Sequence, residues 1–105
     1  SAEAEDPNLR RLLALCQEIG TGMAAADLDQ RLSGSYPFLT MLSVAVCASL
    51  MERQVRAATG TEPFAVAKRA VASFYIQQIL PEALGLHAAA TAPAAQLFDL
   101  EAALF

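Results

Sequence analysis

The sequence predicts an all-α fold with three long helices in an up-down bundle, a kink at Pro81 and a short C-terminal helix. Twenty-three alanines and fifteen leucines dominate the chain, and both residue types lose little side-chain freedom in a helix. Apolar residues recur at steps of three and four, which is the helical period, and no alternating strand pattern is present. An all-β fold is therefore excluded.

Size and charge narrow the class of protein further. A chain of 105 residues has room for one hydrophobic core, and 55% hydrophobic residues exclude a disordered tail. Seven basic residues in a chain of net charge −4 exclude nucleic acid as the partner. Only 17% of the residues are charged, which indicates apolar surface covered by another domain or a second copy. The charge content does not choose between these two coverings, and a homo-oligomer is one of the expected assemblies.

The first helix is predicted from about Asn8, because Pro7 suits the first turn of a helix. Gly20 and Gly22 each cost about 1 kcal/mol relative to Ala inside a helix, so a kink or break is expected there. Helix should resume over residues 24–32, with Gly34 as its C-terminal cap. Residues 1–7 are expected to be a linker or a cloning remnant, and residues 8–105 a single helical domain excised from a longer chain.

The second helix is predicted to begin at Ser35 or Tyr36, before Pro37, and to end near Thr59, with Gly60 as its cap. Its first four turns carry apolar side chains on nearly every side, more than a small bundle can cover. We expect the surplus to dock on a partner through Phe38, Leu39, Leu42, Val46 and Leu50.

Residues 32–51 carry no charge and approach the length that spans a bilayer. A turn predicted at residues 33–37 would leave a helix of core length, so we expect no membrane span.

The third helix is predicted to begin with Thr61 as N-cap and Pro63 in its first turn, and to reach Leu80. Pro81 removes one hydrogen bond of the helix and should kink it. After Pro93, residues 96–105 are expected to form the short terminal helix, capped by Asp99.

The chain shows no catalytic, cofactor-binding or metal-ligating pattern. Residues 20–25 match G-x-G-x-x-A literally, but without the preceding buried strand that dinucleotide binding requires. Cys16 and Cys47 have no C-x-x-C partner, and we expect buried free thiols. His87 lacks a partner for catalysis in the sequence. A small enzyme or ligand-binding bundle built on these three residues is the least favoured alternative. Without a secretory leader pattern, a cytoplasmic location is expected.

One run in the third helix resembles a known family. It reads Lys68-x-x-x-Ala72-x-Phe74-Tyr75-x-x-x-x-Leu80-Pro81-Glu82. This run is similar to the signature near the end of long bacterial acyl-CoA dehydrogenase-like flavoproteins, whose C-terminal extension is helical, and the likeness extends over most of the chain. Phe74 and Tyr75 are adjacent, so one should face the bundle and the other a neighbour. Lys68 is expected to snorkel or to form an ion pair.

The resemblance implies a parent enzyme of fatty acid metabolism that uses FAD to desaturate an acyl-CoA thioester. In the family, the catalytic glutamate and the FAD and CoA contacts belong to the preceding domains, so no catalytic residue and no cofactor are assigned to this segment. The expected function is a non-catalytic C-terminal domain packed on the preceding dehydrogenase domains or on a neighbouring subunit. The alternative is a self-standing helical interaction module that homodimerises through helix two.

Overall fold

The computed structural model describes residues 4–98, and this part of the chain is all-α without strands. Helix α1 spans Pro7–Ala25 and α2 spans Leu28–Ala57. Helix α3 spans Pro63–Phe74 and continues through a π-helical segment, Tyr75–Ile79, into α4, Leu80–Leu84. The short helix α5, His87–Thr91, and a 3₁₀ turn, Ala94–Phe98, follow. The all-α prediction is confirmed, with three main helices, one of them bent by 36°.

Helix α1 begins where the sequence predicts. Pro7 occupies the first turn, and the Asp6 carboxylate accepts a hydrogen bond of 3.0 Å from the backbone N–H of Leu9. The Asp6 carboxylate satisfies one of the free backbone N–H groups of the first turn. Proline removes another, because it has no N–H. The start of the bundle is thus set by local sequence.

The predicted boundary between the first two helices is wrong. Helix α1 continues through Gly20 and Gly22, and the chain turns instead at Ala26 and Asp27. The Asp27 carboxylate caps α2 by accepting from the N–H of Gln30 at 2.9 Å. The Arg31 side chain donates to the carbonyls at residues 23 and 24, at 2.9 and 3.1 Å. These bonds satisfy both helix ends that face the turn.

The turn predicted at residues 33–37 is therefore absent, and Pro37 lies inside α2. A proline inside a helix costs about 3 kcal/mol, and buried residues on both sides of Pro37 offset that cost by packing on the core. Gly34 lies buried in the helix and is not a C-terminal cap. Thr61 does not cap α3 either, because the N-cap position is Glu62. Gly60 lies beyond the Ala58 cap of α2, and no described glycine has a positive φ.

The core lies where α1, α2 and α4 meet. Its largest fully buried side chains are Leu9, Leu12, Met41 and Leu80. The inner face of α2 otherwise carries small residues, Gly34, Ala45 and Ala48. Small side chains let neighbouring helices approach closely, so α2 packs against α1, α3, α4 and α5.

Gly34 shows how close that approach is. A Cβ atom added there would clash with the carbonyl oxygen of Ala90 in α5 and would lie 2.8 Å from Cε of Met23. We expect Gly34→Ala to lower the free energy of unfolding by about 1–3 kcal/mol, because the backbone of Ala90 cannot move aside as a flexible side chain could. Urea unfolding followed by circular dichroism measures the loss.

Gly22→Ala is the matched control for that substitution. Gly22 is also inside a helix, but a Cβ there meets nothing within 4 Å. Alanine should therefore raise stability by up to about 1 kcal/mol through helix propensity. Equal effects of the two substitutions would contradict the close approach of α5 to α2.

The third helix departs from α-helical geometry just before Pro81, in the region where the sequence predicts a kink. The five residues Tyr75–Ile79 are π-helical. Because π-helical turns and prolines both interrupt the regular hydrogen-bond ladder, they are common causes of helix bending. Leu80 and Ala83, on either side of Pro81, remain buried, so the change in geometry keeps α4 on the core.

The bundle is a thin slab. Its principal extents are 63 × 30 × 17 Å, with a radius of gyration of 17.6 Å, whereas a compact domain of this length has about 13 Å. A helix with its side chains is about 10–12 Å across. A slab only 17 Å thick therefore leaves the outer sides of its helices uncovered.

Candidate functional site

The outer face of α2 carries a continuous row of exposed apolar side chains, named here the α2 stripe. Each member is between 40% and 80% exposed. The members are Leu28, Leu32, Tyr36, Leu39, Leu42, Val46 and Leu50. Steps of three and four residues place them on one side of the helix, opposite the buried face. The stripe spans about 33 Å along the helix axis.

The stripe includes four of the five predicted docking residues. Leu39, Leu42, Val46 and Leu50 are exposed. Phe38 is not part of it, because its ring is half-buried and packs against the core. A prediction from composition alone could not separate the two sides of a helix that is apolar all round. The docking role itself stays a prediction.

Polar residues on the outer half of α2 are satisfied within their own helix. The hydroxyl of Ser35 donates to the Leu32 carbonyl at 2.9 Å, and the hydroxyl of Ser43 donates to the Leu39 carbonyl at 2.8 Å. Thr40 donates to the carbonyl four residues earlier, at 3.1 Å. Since these donors need no water, an apolar surface can cover them without leaving a donor unpaired.

The exposed area of the chain fits an uncovered face. It totals 7046 Å², whereas a compact monomer of 11.1 kDa exposes roughly 5,650 Å², which leaves an excess of about 1,400 Å². A standard protein interface covers about 800 Å² on each partner. The excess is therefore large enough for one interface or more.

A second apolar area lies on α3. Phe64, Val71 and Phe74, named here the α3 patch, are 69%, 58% and 61% exposed. Phe64 and Val71, together with Met51 of α2, line a groove of about 300 Å³ between the two helices.

Lys68 lies at the same groove. Its Nζ atom donates to Oε1 of Gln54 at 3.1 Å and lies 5.6 Å from the centroid of the Phe64 ring. The side chain follows apolar surface and contacts an aromatic face, as expected of a snorkelling lysine. Of the two predicted alternatives, snorkelling and an ion pair, these contacts fit snorkelling, with a carboxamide as the polar partner.

The two cysteines lie in different surroundings. Both are free thiols, as predicted, and Cys16 is buried, where burial raises the pKa of its thiol. Cys47 is exposed, which corrects the prediction that both are buried. It forms a side-chain hydrogen bond with Tyr75, and burial and this neighbour together raise the pKa of the Tyr75 hydroxyl.

Glu52 is a buried carboxylate that fastens the start of the chain to α2. It is 9% exposed and accepts from the backbone N–H groups of Glu5 and Asp6 at 3.0 and 3.1 Å. Arg56 donates to it at 2.8 Å. Burial opposes ionisation, but the two N–H groups and Arg56 outweigh it and hold the pKa of Glu52 below its ordinary value. This set of contacts is named here the Glu52 clasp.

Because of the clasp, the backbone of residues 5 and 6 is held against α2, although the side chain of Glu5 is exposed. Ala4 is buried, and the two residues after it are bonded through their backbone. The clasp was missed, although one signal was available. Glu52 follows Ala45 and Ala48 at helical spacing, so its carboxylate lies on the buried side of α2.

Comparison with known proteins identifies the family. A family model described as acetyl-CoA dehydrogenase C-terminal like matches residues 2–101, nearly the whole chain. The chain belongs to this family. Searches of curated proteins and of solved structures found no match. The predicted resemblance is thus confirmed: the chain is an acyl-CoA dehydrogenase C-terminal-like helical domain.

The family signature distributes its residues over both sides of this C-terminal-like domain. Ala72 and Leu80 are buried, and Tyr75 is half-buried against the core. Phe74 is exposed, as are Pro81 and Glu82. The two adjacent aromatics face different sides, in agreement with the geometry expected from the sequence.

Acyl-CoA dehydrogenases are typically FAD-dependent, but the glycine motif of this domain does not fit a dinucleotide. Gly20 and Gly22 lie inside α1, where the helix uses their backbone N–H groups. A phosphate-binding loop needs such groups free at a helix N-terminus. Among residues 4–98, no three His, Cys, Asp or Glu side chains are grouped to hold a metal ion. His87 is half-buried at the start of α5.

By length and composition alone, α2 of this domain could cross a membrane, with 22% of its most apolar window buried. The turn predicted at residues 33–37 gave the reason against a membrane span, and that turn is absent. The core helix of a soluble protein passes the same test. Length and composition therefore do not distinguish a membrane-spanning helix from a core helix, and the packing of α2 on its neighbours has to decide between them.

Proposed function

We propose that this domain is a non-catalytic assembly element of an FAD-dependent acyl-CoA dehydrogenase. It packs through its exposed apolar surface on the dehydrogenase domains or on a neighbouring subunit. The observation that carries the proposal is the α2 stripe on a slab 17 Å thick. Exposed apolar surface of this extent is typical of interaction sites.

The apolar surface fits a protein partner better than a lipid bilayer. Helix α2 packs along α1, and the outer side of α1 exposes three charged residues, Arg10, Arg11 and Glu18. Because the two helices pack as one unit, hydrocarbon around α2 would also surround these charges, each of which costs several kcal/mol there. A protein surface can cover the stripe alone and leave α1 in water.

A binding experiment tests the proposed function. The dehydrogenase domains of the parent and this chain are produced separately, and their dissociation constant is measured by calorimetry. We expect binding that weakens at least tenfold when a charge enters the apolar surface, through Phe74→Glu in the α3 patch or Val46→Glu in the α2 stripe, because a buried unpaired charge is costly.

Val66→Glu is the matched control. Val66 is 49% exposed, against 50% for Val46, and helical geometry turns it away from Phe64 and Val71. It should leave binding unchanged. No binding by the native chain, or binding that neither apolar-surface variant weakens, would refute the proposal. Stripe-dependent sedimentation with phospholipid vesicles would count for a membrane partner instead.

A further inference from the structure

We propose that the α2 stripe is a two-fold contact between two copies of this domain, with their α2 helices antiparallel. This inference rests on the proposed function and names the partner for one part of the surface. The α3 patch remains for the dehydrogenase domains.

The shape of the stripe suits pairing with an identical helix. From Leu28 to Leu50 it makes six steps in 22 residues, about 3.7 residues per turn, close to the period of an unstrained helix. The stripe therefore runs nearly parallel to the helix axis, without requiring supercoiling. Two such helices can contact each other along their whole length.

The side chains are self-complementary in the antiparallel arrangement. A two-fold axis at the level of Leu39, the midpoint of the stripe, places Leu32 of one copy opposite Val46 of the other, and Tyr36 opposite Leu42. Residues on a two-fold interface must match the same surface reversed, and an uncharged row of medium-sized apolar side chains does so. No charge lies between residues 31 and 52 to oppose the contact.

The charges at the two ends of α2 select the antiparallel direction. Asp27 and Asp29 outnumber Arg31 at its start, and Arg53 and Arg56 outnumber Glu52 near its end, so the two ends carry opposite net charge. Antiparallel pairing brings the acidic end of each helix towards the basic end of the other. Parallel pairing would bring like charges together and align the helix dipoles unfavourably.

The excess exposed area of the whole chain, which the α2 stripe shares with the α3 patch, is larger than one standard dimer interface. The chain exposes 7046 Å², about 1,400 Å² more than a compact monomer of its mass. A dimer interface of standard size covers about 800 Å² per copy. The satisfied hydroxyls of Ser35, Thr40 and Ser43 allow such an interface to be dry.

The oligomeric state of the chain tests the inference. Sedimentation equilibrium should give twice the monomer mass at micromolar concentration. Val46→Glu should raise the dimer dissociation constant at least ~100-fold, because symmetry buries two charges at once. Val66→Glu should leave it unchanged. Circular dichroism on each variant shows that a monomer is still folded, and a variant that unfolds is replaced by Leu39→Ser.

The direction of pairing has its own readout. A spin label on Ala57→Cys, an exposed and uncharged position in the last turn of α2, in a Cys47→Ser background where Cys16 is buried, reports the distance between copies. Antiparallel helices around Leu39 should give about 54 Å, and parallel helices the much shorter distance of neighbouring axes, about 10 Å plus the label arms. The short distance would overturn the antiparallel contact.

The two proposals fail differently. A native chain that stays monomeric but binds the dehydrogenase domains overturns the second-copy contact and leaves the proposed function standing. A dimer that does not bind them keeps this contact and removes packing on the dehydrogenase domains from the proposed function. A dimer that survives both Val46→Glu and Leu39→Ser would place the contact elsewhere and overturn the inference.

Discussion

Met41→Ala should lower the free energy of unfolding by about 2–5 kcal/mol, since the substitution leaves a cavity that the surrounding helices only partly fill. Met41 is fully buried in the middle of α2, where its side chain belongs to the core cluster shared with Leu12 and Leu80. Small domains have only about 5–15 kcal/mol of stability in total. Urea unfolding at one fixed protein concentration measures the loss.

Val66→Ala is the control for this cavity. Val66 is half exposed and lies outside the α2 stripe, so its truncation should change stability by no more than about 0.5 kcal/mol. A Met41→Ala variant as stable as the native chain would mean that the core does not lie on this side of α2. The assignment of the α2 stripe to the outer face of the helix would then be wrong as well.

Glu52→Gln should cost about 2–4 kcal/mol of stability at neutral pH, because Arg56 and two backbone N–H groups lose their charged acceptor. The effect should shrink in acid. The pKa of Glu52 is lower in the folded chain than its ordinary value of 4.5, so the unfolded chain binds more protons as the pH falls. The stabilisation is full above the unfolded pKa and is lost as the pH falls through the folded pKa.

Unfolding midpoints at pH 7 and at pH 3 measure how much of this effect depends on the charge of Glu52. The native chain and Glu52→Gln should differ clearly at pH 7 and less at pH 3. Glu18→Gln, an exposed acid on α1, should match the native chain within about 0.5 kcal/mol at pH 7. A constant gap between native chain and Glu52→Gln at both values would show that lost packing, and not lost charge, causes the effect.

The parts of the fold that depend on local chemistry were predictable. Asp6 and Pro7 fix the start of α1 through one side-chain bond and one missing donor. Pro63 marks the start of α3 through its missing donor alone, because the N-cap residue Glu62 forms no side-chain cap bond. The family signature was readable because it occupies one continuous run from Lys68 to Glu82. The docking role of the outer residues of α2 stays a prediction.

The parts that depend on tertiary contacts were not predictable from local signals. Pro37 favours a helix start in isolation, yet Asp27 caps the helix ten residues earlier. Glycine is a common C-terminal cap, so the local sequence predicts a cap at Gly34. In the structure the Ala90 carbonyl and Met23 lie so close to Gly34 that there is no room for a side chain. The exposure of Cys47 depends on which side of α2 the core covers. The predicted terminal helix at residues 96–105, with its cap Asp99, extends beyond the described residues.

The Glu52 clasp also bears on the order in which the domain is made. It closes one end of the α1–α2 hairpin, while the Asp27 and Arg31 caps close the other. All residues of the hairpin are therefore synthesised before residues 58–105, nearly half of the sequence, are added. The α2 stripe is present from that point, so the nascent chain exposes an aggregation-prone apolar surface early. Binding of the partner during synthesis would cover this surface.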